Sequence, residues 1–347
     1  MKRIFLMVCL ASLVVLLAGT GCVGENKLLG AGATFPQPLY SKMFDAYYNQ
    51  FKIKINYQGI GSGAGIEQLT KKTVDFGATD SFMTDEDLKN AAAEIIHVPI
   101  ALGAVSVTYN LPTNPQIRLS RDILASIFLG TISQWDDEAI AALNADIDLP
   151  ALPITIVHRS DGSGTTAIFT EYLSKISPEW ATTVGRGKEV SWPAGLGAKG
   201  NPGVAGQIKQ IPGSIGYVEL IYALENEMPI AEIQNKKGNY VMPSLESTKL
   251  SADVPVPDDT RVLLADTDSE QGYPITGLTW VIVYREQSYD GRSQDKAKSL
   301  VDLLWWMTHE GQDYCEPLKY APIPESVVDK AAKIIKSMTY EGVPIMQ

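Results

Sequence analysis

The chain predicts an α/β fold divided into two domains, and three observations support that expectation. Short apolar runs alternate with amphipathic helical patterns along most of its length. Its 347 residues, 45% of them hydrophobic, are enough for a sizeable core and exceed what a single domain usually holds. Three separate stretches run through a small-residue turn, rich in glycine and hydroxyl side chains, into a helical pattern.

Met1 to Cys22 stands apart from the core. Lys2 and Arg3 form a positive start, Ile4 to Ala18 an apolar run of about 15 residues, and Gly19-Thr20-Gly21 a small-residue cleavage region. This reads as a secretory signal. Cys22 is expected to be the lipid acceptor of a lipoprotein, anchoring the chain to a membrane outside the cytoplasm, in a periplasm or at the outer cell surface. Gly19 stands where such signals carry an aliphatic residue, so a plainly cleaved signal or an uncleaved anchor is the alternative.

GAGATFPQPLY follows, with Thr34 a candidate N-cap ahead of Pro36, Pro38 and an amphipathic run through Phe44 and Tyr48. A strand is expected over Ile53 to Tyr57, then a Gly-rich turn in which Ser62 sits where a capping hydroxyl would. Val74 to Ala78 is a short strand ending just before Asp80. Further strands are expected over Ile95 to Ile100, Val105 to Tyr109, Ile154 to Val157, Ile215 to Val218 and Leu278 to Val283. Ser293 to Thr308 is the clearest helix: Ser293 caps it, Ala297, Leu300, Val301, Leu304 and Trp305 share a face, and Gly311 follows its end. Cys315 is expected to be a small buried hydrophobe, with no disulfide framework.

The most informative stretch is His158-Arg159-Ser160-Asp161-Gly162-Ser163-Gly164-Thr165-Thr166, between the strand ending at Val157 and a helical pattern from Thr165 to Lys175. Backbone N–H groups at a helix start lack intrahelical partners, and the helix dipole makes that end positive. With the hydroxyls of Ser163 and Thr165 and the fixed charge of Arg159, the turn suits a tetrahedral anion. Read alone, it is equally a turn that only caps its helix; the two similar turns at Thr34 and Ser62 favour convergence on one ligand.

GAGATFP, YQGIGSGAG, VDFGATDS and HRSDGSGTT, in this order and at these separations, closely resemble the periplasmic phosphate-binding proteins of the PstS family, the substrate-binding subunits of a phosphate ABC importer. LGTISQWDDEAI, WPAGLGAKGN, GSIGYVE and YPITG extend the resemblance over nearly all of the chain beyond the signal. It implies phosphate ligands at Thr34, Phe35, Ser62, Asp80, Arg159, Ser163, Gly164 and Thr165, and a non-catalytic receptor with no metal or cofactor. The implied fold is the two-lobed periplasmic-binding-protein fold of type II-like arrangement, its lobes joined by two crossing strands. We place the crossings near Pro99 to Gly103 and Tyr273 to Thr276, so that lobe I comprises residues 23–102 and 274–347 and lobe II residues 103–273. Implied partners are inorganic phosphate, the importer's permease subunits with their cytoplasmic ATPase, and the membrane through the lipid anchor; a monomer is expected.

Each implied ligand also has its own chemistry. Thr34, Ser62, Ser163 and Thr165 carry hydroxyl donors, Phe35 and Gly164 offer backbone N–H groups, and Arg159 offers a planar fork that fits two phosphate oxygens. Asp80 is the odd member, since a carboxylate repels an anion unless that anion carries a proton to share; phosphate does near neutral pH and sulfate does not. Asp80 is therefore the expected selectivity residue, with a simple turn cap as the alternative. Asp161 is expected to hold the Arg159 guanidinium, with an ordinary Asp-Gly turn residue as the alternative.

Other functions find less support. A net charge of -11 argues against nucleic-acid partners and against gathering anions from a distance. DGSGTT lacks the lysine and spacing of an NTPase loop, and Asp266 to Glu270 starts like a calcium loop but has Gln271 in place of its glycine. His97, His158 and His309 lack zinc spacing. The rival from another class is a phosphoryl-transfer enzyme with Ser163 or Thr165 as nucleophile and His158 as base. Gly195 to Pro202 is expected to be a solvated turn, with transporter docking as the alternative.

Overall fold

The computed structural model describes residues 27–346, so the signal segment and Cys22 lie outside the described residues. Among those residues no helix is long and apolar enough to cross a membrane.

One mixed sheet organises the fold. Its order is Lys54–Gly59, Lys27–Gly32, Phe76–Thr79, Thr276–Tyr284, Ile95–Tyr109, Ser214–Glu219, Thr155–Arg159, Leu196–Ala198. The first three strands are parallel, as are the last three, while the two in the middle run antiparallel to their neighbours. Parallel strands joined through helices give the α/β pattern on both sides of this centre.

Ile95–Tyr109 is the connection that matters most. The expected strands Ile95 to Ile100 and Val105 to Tyr109 are one 15-residue strand, almost entirely buried. Its residues up to Ala104 pair with Thr276–Tyr284, and from Val105 onward they pair with Ser214–Glu219. The change of partner falls between Ala104 and Val105, where the Val105 N–H bonds the Ile275 carbonyl at 2.8 Å. Gly103 and Ala104 interrupt the β-branched pattern there, which is why the sequence reads as two strands.

Each side has its own aromatic packing. On the first, Tyr40, Phe44, Tyr57 and Phe76 pack with centroids 5.4 to 6.2 Å apart. On the second, Phe169 and Trp192 stack on Tyr217 at 4.4 and 5.7 Å. The helix Gln294–Thr308 is capped by Ser293, whose Oγ accepts from the Lys296 N–H at 3.2 Å. Trp306 supplies the buried tryptophan of that helix, whereas Trp305 is half-buried and stacks on His309. Lys27–Gly32 was not among the expected strands: KLLGAG lacks β-branched residues, and its two parallel neighbours impose the extended form. Asp266, the first residue of the calcium-like stretch, is held in a two-pronged ion pair with Arg121 at 2.5 and 2.9 Å.

Candidate functional site

The site lies where the two halves of the sheet face each other, built from strand ends and helix starts on both sides. Arg159 ends the strand Thr155–Arg159, and its side chain is only 2% exposed. Asp161 grips it in a fork, Nε donating to Oδ1 at 2.8 Å and Nη2 to Oδ2 at 2.5 Å. The Gly200 N–H adds a third hydrogen bond to Oδ1 at 3.0 Å. Burial alone would raise the Asp161 acid, but these bonds and the Arg159 charge hold it below the usual carboxylate range. The guanidinium edge carrying Nη1 points instead to Thr165 Oγ1 at 3.3 Å.

The helix Gly164–Ile176 starts beside this arginine. Ser163 is its N-cap, its Oγ accepting from the Thr166 N–H at 3.0 Å. The other two hydroxyl-bearing turns behave differently from the expected caps. The helix Gln37–Phe51 has Pro36 in the cap position with no side-chain bond, and Ser62 is the first residue of its own helix, behind Gly61. Their hydroxyls are used across the cleft. Ser62 Oγ accepts from the Gly164 N–H at 3.1 Å and the Asp80 N–H at 3.3 Å. Thr34 Oγ1 accepts from the Asn201 backbone N–H at 3.1 Å and its Nδ2 at 2.9 Å.

Counting protons gives these groups a common character. Thr165 Oγ1 also receives Asn201 Nδ2 at 3.1 Å, in addition to Arg159. A hydroxyl has two lone pairs and one proton. N–H donors fill both lone pairs on Thr34, Ser62 and Thr165, and one on Ser163, so each keeps its proton for an acceptor. Thr34, Ser62 and Thr165 are thereby committed to donating, Ser62 toward Asp80 Oδ2 at 3.5 Å, next to a fixed guanidinium and a helix N-terminus, while the buried Ser163 hydroxyl keeps one lone pair open. Such a set suits a ligand made only of acceptors, an oxyanion.

Among the described residues, Asp80 is the one buried acid on the cleft's first side. Burial pushes it up to about 7, against the lowering effects of Thr279, Arg159 and Ser62. Thr279 donates to its Oδ1 at 2.8 Å, and Ser62 Oγ stands 3.5 Å from Oδ2. A register irregularity in the strand pairing falls between Thr279 and Trp280, beside this contact.

Phe35 is fully buried, and three consecutive carbonyls around it are pinned by tyrosines. Tyr57 donates to Ala33, Tyr222 to Thr34 and Tyr320 to Phe35, each at 2.6 Å. The glycines matter for space. A Cβ on Gly164 would sit 2.6 Å from both Asp80 Oδ2 and Ser62 Oγ, so only glycine lets the helix start approach the opposite side this closely. Neither Gly162 nor Gly164 adopts positive φ, so close approach and not turn geometry explains them.

All eight expected ligands and Asp161 therefore meet in one cleft. Sequence reasoning missed Asn201, Thr279, Glu219 and the three tyrosines. Asn201 lies within Gly195 to Pro202, the segment expected to be a solvated turn; it is buried and bonds Thr34 and Thr165 from one side chain. Its signal was the Gly-Asn pair opening the helix Gly200–Gln210, with Gly200 at φ +69°. His158 is turned away from the hydroxyls: its Nδ1 bonds the Arg159 carbonyl at 3.0 Å and its ring stacks on Trp192 at 4.8 Å.

The PBP superfamily domain matches residues 20–308 of this chain. The phosphate-binding protein PstS of Pasteurella multocida (strain Pm70) is 41% identical over 310 residues, covering 88% of each chain. That of Methanocaldococcus jannaschii is 38% identical, covering 94% of this chain and 93% of its own. Among solved structures, the high-affinity periplasmic phosphate-binding protein PfluDING, solved with phosphate at pH 8.5, superposes with a TM-score of 0.73. It shares 22% identity and covers 88% of this chain and 93% of its own. The phosphate-binding protein from Stenotrophomonas maltophilia gives a TM-score of 0.68 at 17% identity, covering 92% and 96%. These two likenesses concern the fold, which is the two-lobed α/β architecture. By sequence, the chain belongs to the PBP superfamily and, within it, to the PstS phosphate-binding proteins.

Proposed function

We propose that this chain is a non-catalytic receptor that binds inorganic phosphate between its two lobes and hands it to an ABC importer. The observation that carries this reading is the donor character of the cleft: the Thr34 and Thr165 hydroxyls have both lone pairs filled by N–H donors, and with Ser163 they lie beside the buried Arg159 guanidinium at the start of the helix Gly164–Ile176. The ligands are Thr34, Phe35, Ser62, Asp80, Arg159, Ser163, Gly164 and Thr165, and Asp161 supports Arg159. Asp80 takes the proton that phosphate carries, and a fully deprotonated sulfate meets a bare carboxylate there.

Lobe I is taken as residues 23–102 and 274–347 and lobe II as 103–273, supported by the switch of strand partners at Ala104 and Val105. Thr34, Phe35, Ser62 and Asp80 then belong to lobe I and Arg159 to Thr165 to lobe II, so a bound anion bridges the lobes and favours closure. The importer's permeases recognise the closed form. The chain works as a monomer outside the cytoplasm, tethered through a lipid on Cys22. Against the phosphoryl-transfer alternative, Ser163 Oγ serves as a helix cap and His158 faces the Arg159 carbonyl, which leaves the hydroxyl without a base.

Equilibrium dialysis of the purified, phosphate-stripped protein against labelled phosphate tests the reading, with a phosphomonoester assay in parallel. One phosphate retained per chain with no ester turnover is expected. Turnover lost in Ser163→Ala would replace the receptor by an enzyme.

A further inference from the structure

Glu219 is a buried acid that the phosphate reading does not use. It ends the strand Ser214–Glu219 and pairs with Val105, at the point where Ile95–Tyr109 changes partner. Its Oε2 takes the Ile221 N–H at 2.9 Å and lies 3.1 Å from the Tyr320 hydroxyl oxygen, while Oε1 is buried with no hydrogen-bond partner. Neither partner carries a charge.

The Tyr320 hydroxyl has one proton and two oxygen neighbours. The Phe35 carbonyl, at 2.6 Å, can only accept, so the Tyr320 proton lies there. The remaining contact, Tyr320 to Glu219 Oε2, then needs a second proton, and only the carboxyl can supply it. An ionised Glu219 would put two acceptors face to face and leave half its charge on the unpartnered Oε1. The ionisable groups around it agree. Burial pushes the Glu219 acid well above the usual carboxylate range, and the Asp80 charge adds to that against the Ile221 and Tyr320 bonds. Tyr222 and Tyr320 are themselves raised, burial first and the Glu219 charge next, so both remain neutral hydroxyls.

We infer that Glu219 is held as the neutral acid and is a positioning residue for the cleft, its carboxyl proton reaching the Tyr320 oxygen so that Tyr320 stays committed to the Phe35 carbonyl. The chain of bonds runs Glu219 to Tyr320 to Phe35, from the second lobe to the first, and fixes the turn at Phe35, one of the proposed phosphate ligands. Its consequence for binding rests on the phosphate reading; the protonation state does not.

Difference infrared spectroscopy of the full chain at pH 7, wild type minus Glu219→Gln, tests the proton directly. Loss of a protonated-carboxyl C=O band is expected, and the same band persists when Asp80→Asn serves as the parent. Loss of carboxylate bands alone would overturn the inference. The positioning role is read by phosphate titration of Glu219→Ala, Tyr320→Phe and the double variant. Each single change weakens binding about tenfold and the double change hardly more, because both break one chain. Glu219→Gln falls between wild type and Glu219→Ala, since its amide nitrogen can donate to Tyr320 but cannot accept from Ile221 at the same atom. Additive losses, or unchanged affinity in Glu219→Ala, would remove the positioning role. If wild type binds no phosphate, the phosphate reading fails, and the infrared result still decides the protonation of Glu219.

Discussion

The two faces of the cleft are built for different tasks. The second lobe presents a buried guanidinium locked by Asp161 and a capped helix start, both of which attract negative charge before any ligand arrives. The first lobe presents hydroxyls, the Phe35 turn and Asp80, an acid that burial moves to about 7. On the proposed reading, attraction resides on one side and proton reading on the other. With a net charge of -11, the surface as a whole repels an anion, so local donors such as these must supply the attraction.

Arg159→Ala is the sharpest way to break the comparison. Losing two charge-assisted hydrogen bonds of about 1.5 to 3 kcal/mol each should weaken phosphate binding by roughly 10² to 10⁴ in calorimetric titration. A loss under tenfold would move the attraction to the first lobe. Gly164→Ala tests whether the faces must touch. The added methyl would lie 2.6 Å from Asp80 Oδ2 and Ser62 Oγ, and the resulting overpacking should cut affinity by up to about a hundredfold with both lobes still folded by circular dichroism. Unchanged affinity would show that the close approach is dispensable.

Asp80 offers a pH test on the phosphate-free protein. Because burial raises its acid from 3.8 to about 7, the stability contributed by its neutral form is full below the unfolded value and is lost as pH rises through about 7. Asp80→Asn keeps an acceptor for Thr279 without the charge. It should stabilise the protein by on the order of 2 kcal/mol at pH 8 and by little at pH 4, as read by thermal unfolding. Equal effects at both pH values would contradict the assignment. The smallest change is expected from Asn201→Ala, which removes one side-chain link between Thr34 and Thr165. It should weaken phosphate about tenfold, leaving the Asn201 backbone bond to Thr34 intact.

How legible each part was follows from the range of its contacts. The helix at Gln294–Thr308, with Ser293 and its apolar face, was readable because every determinant lies within a few residues. Arg159, Asp161 and Ser163 were readable for the same reason, their bonds spanning two or three positions. The capping expected of Thr34 and Ser62 failed because their hydroxyls bond Asn201 and Gly164, 167 and 102 residues away. Tyr222, Tyr320 and Thr279 left no local pattern, and Glu219 ends the stretch GSIGYVE with no signal of its bonding. A tyrosine after an apolar run reads as core, and nothing short of the fold places its hydroxyl on a carbonyl 188 or 285 residues distant.

Calorimetric titration of the purified, phosphate-stripped protein with phosphate and with sulfate at pH 8, for wild type and Asp80→Asn, tests most directly that the first lobe reads the ligand's proton. Wild type should bind phosphate and ignore sulfate, while Asp80→Asn should admit sulfate. Wild type that binds both anions alike, or a variant that still rejects sulfate, would contradict the division of labour between the two lobes.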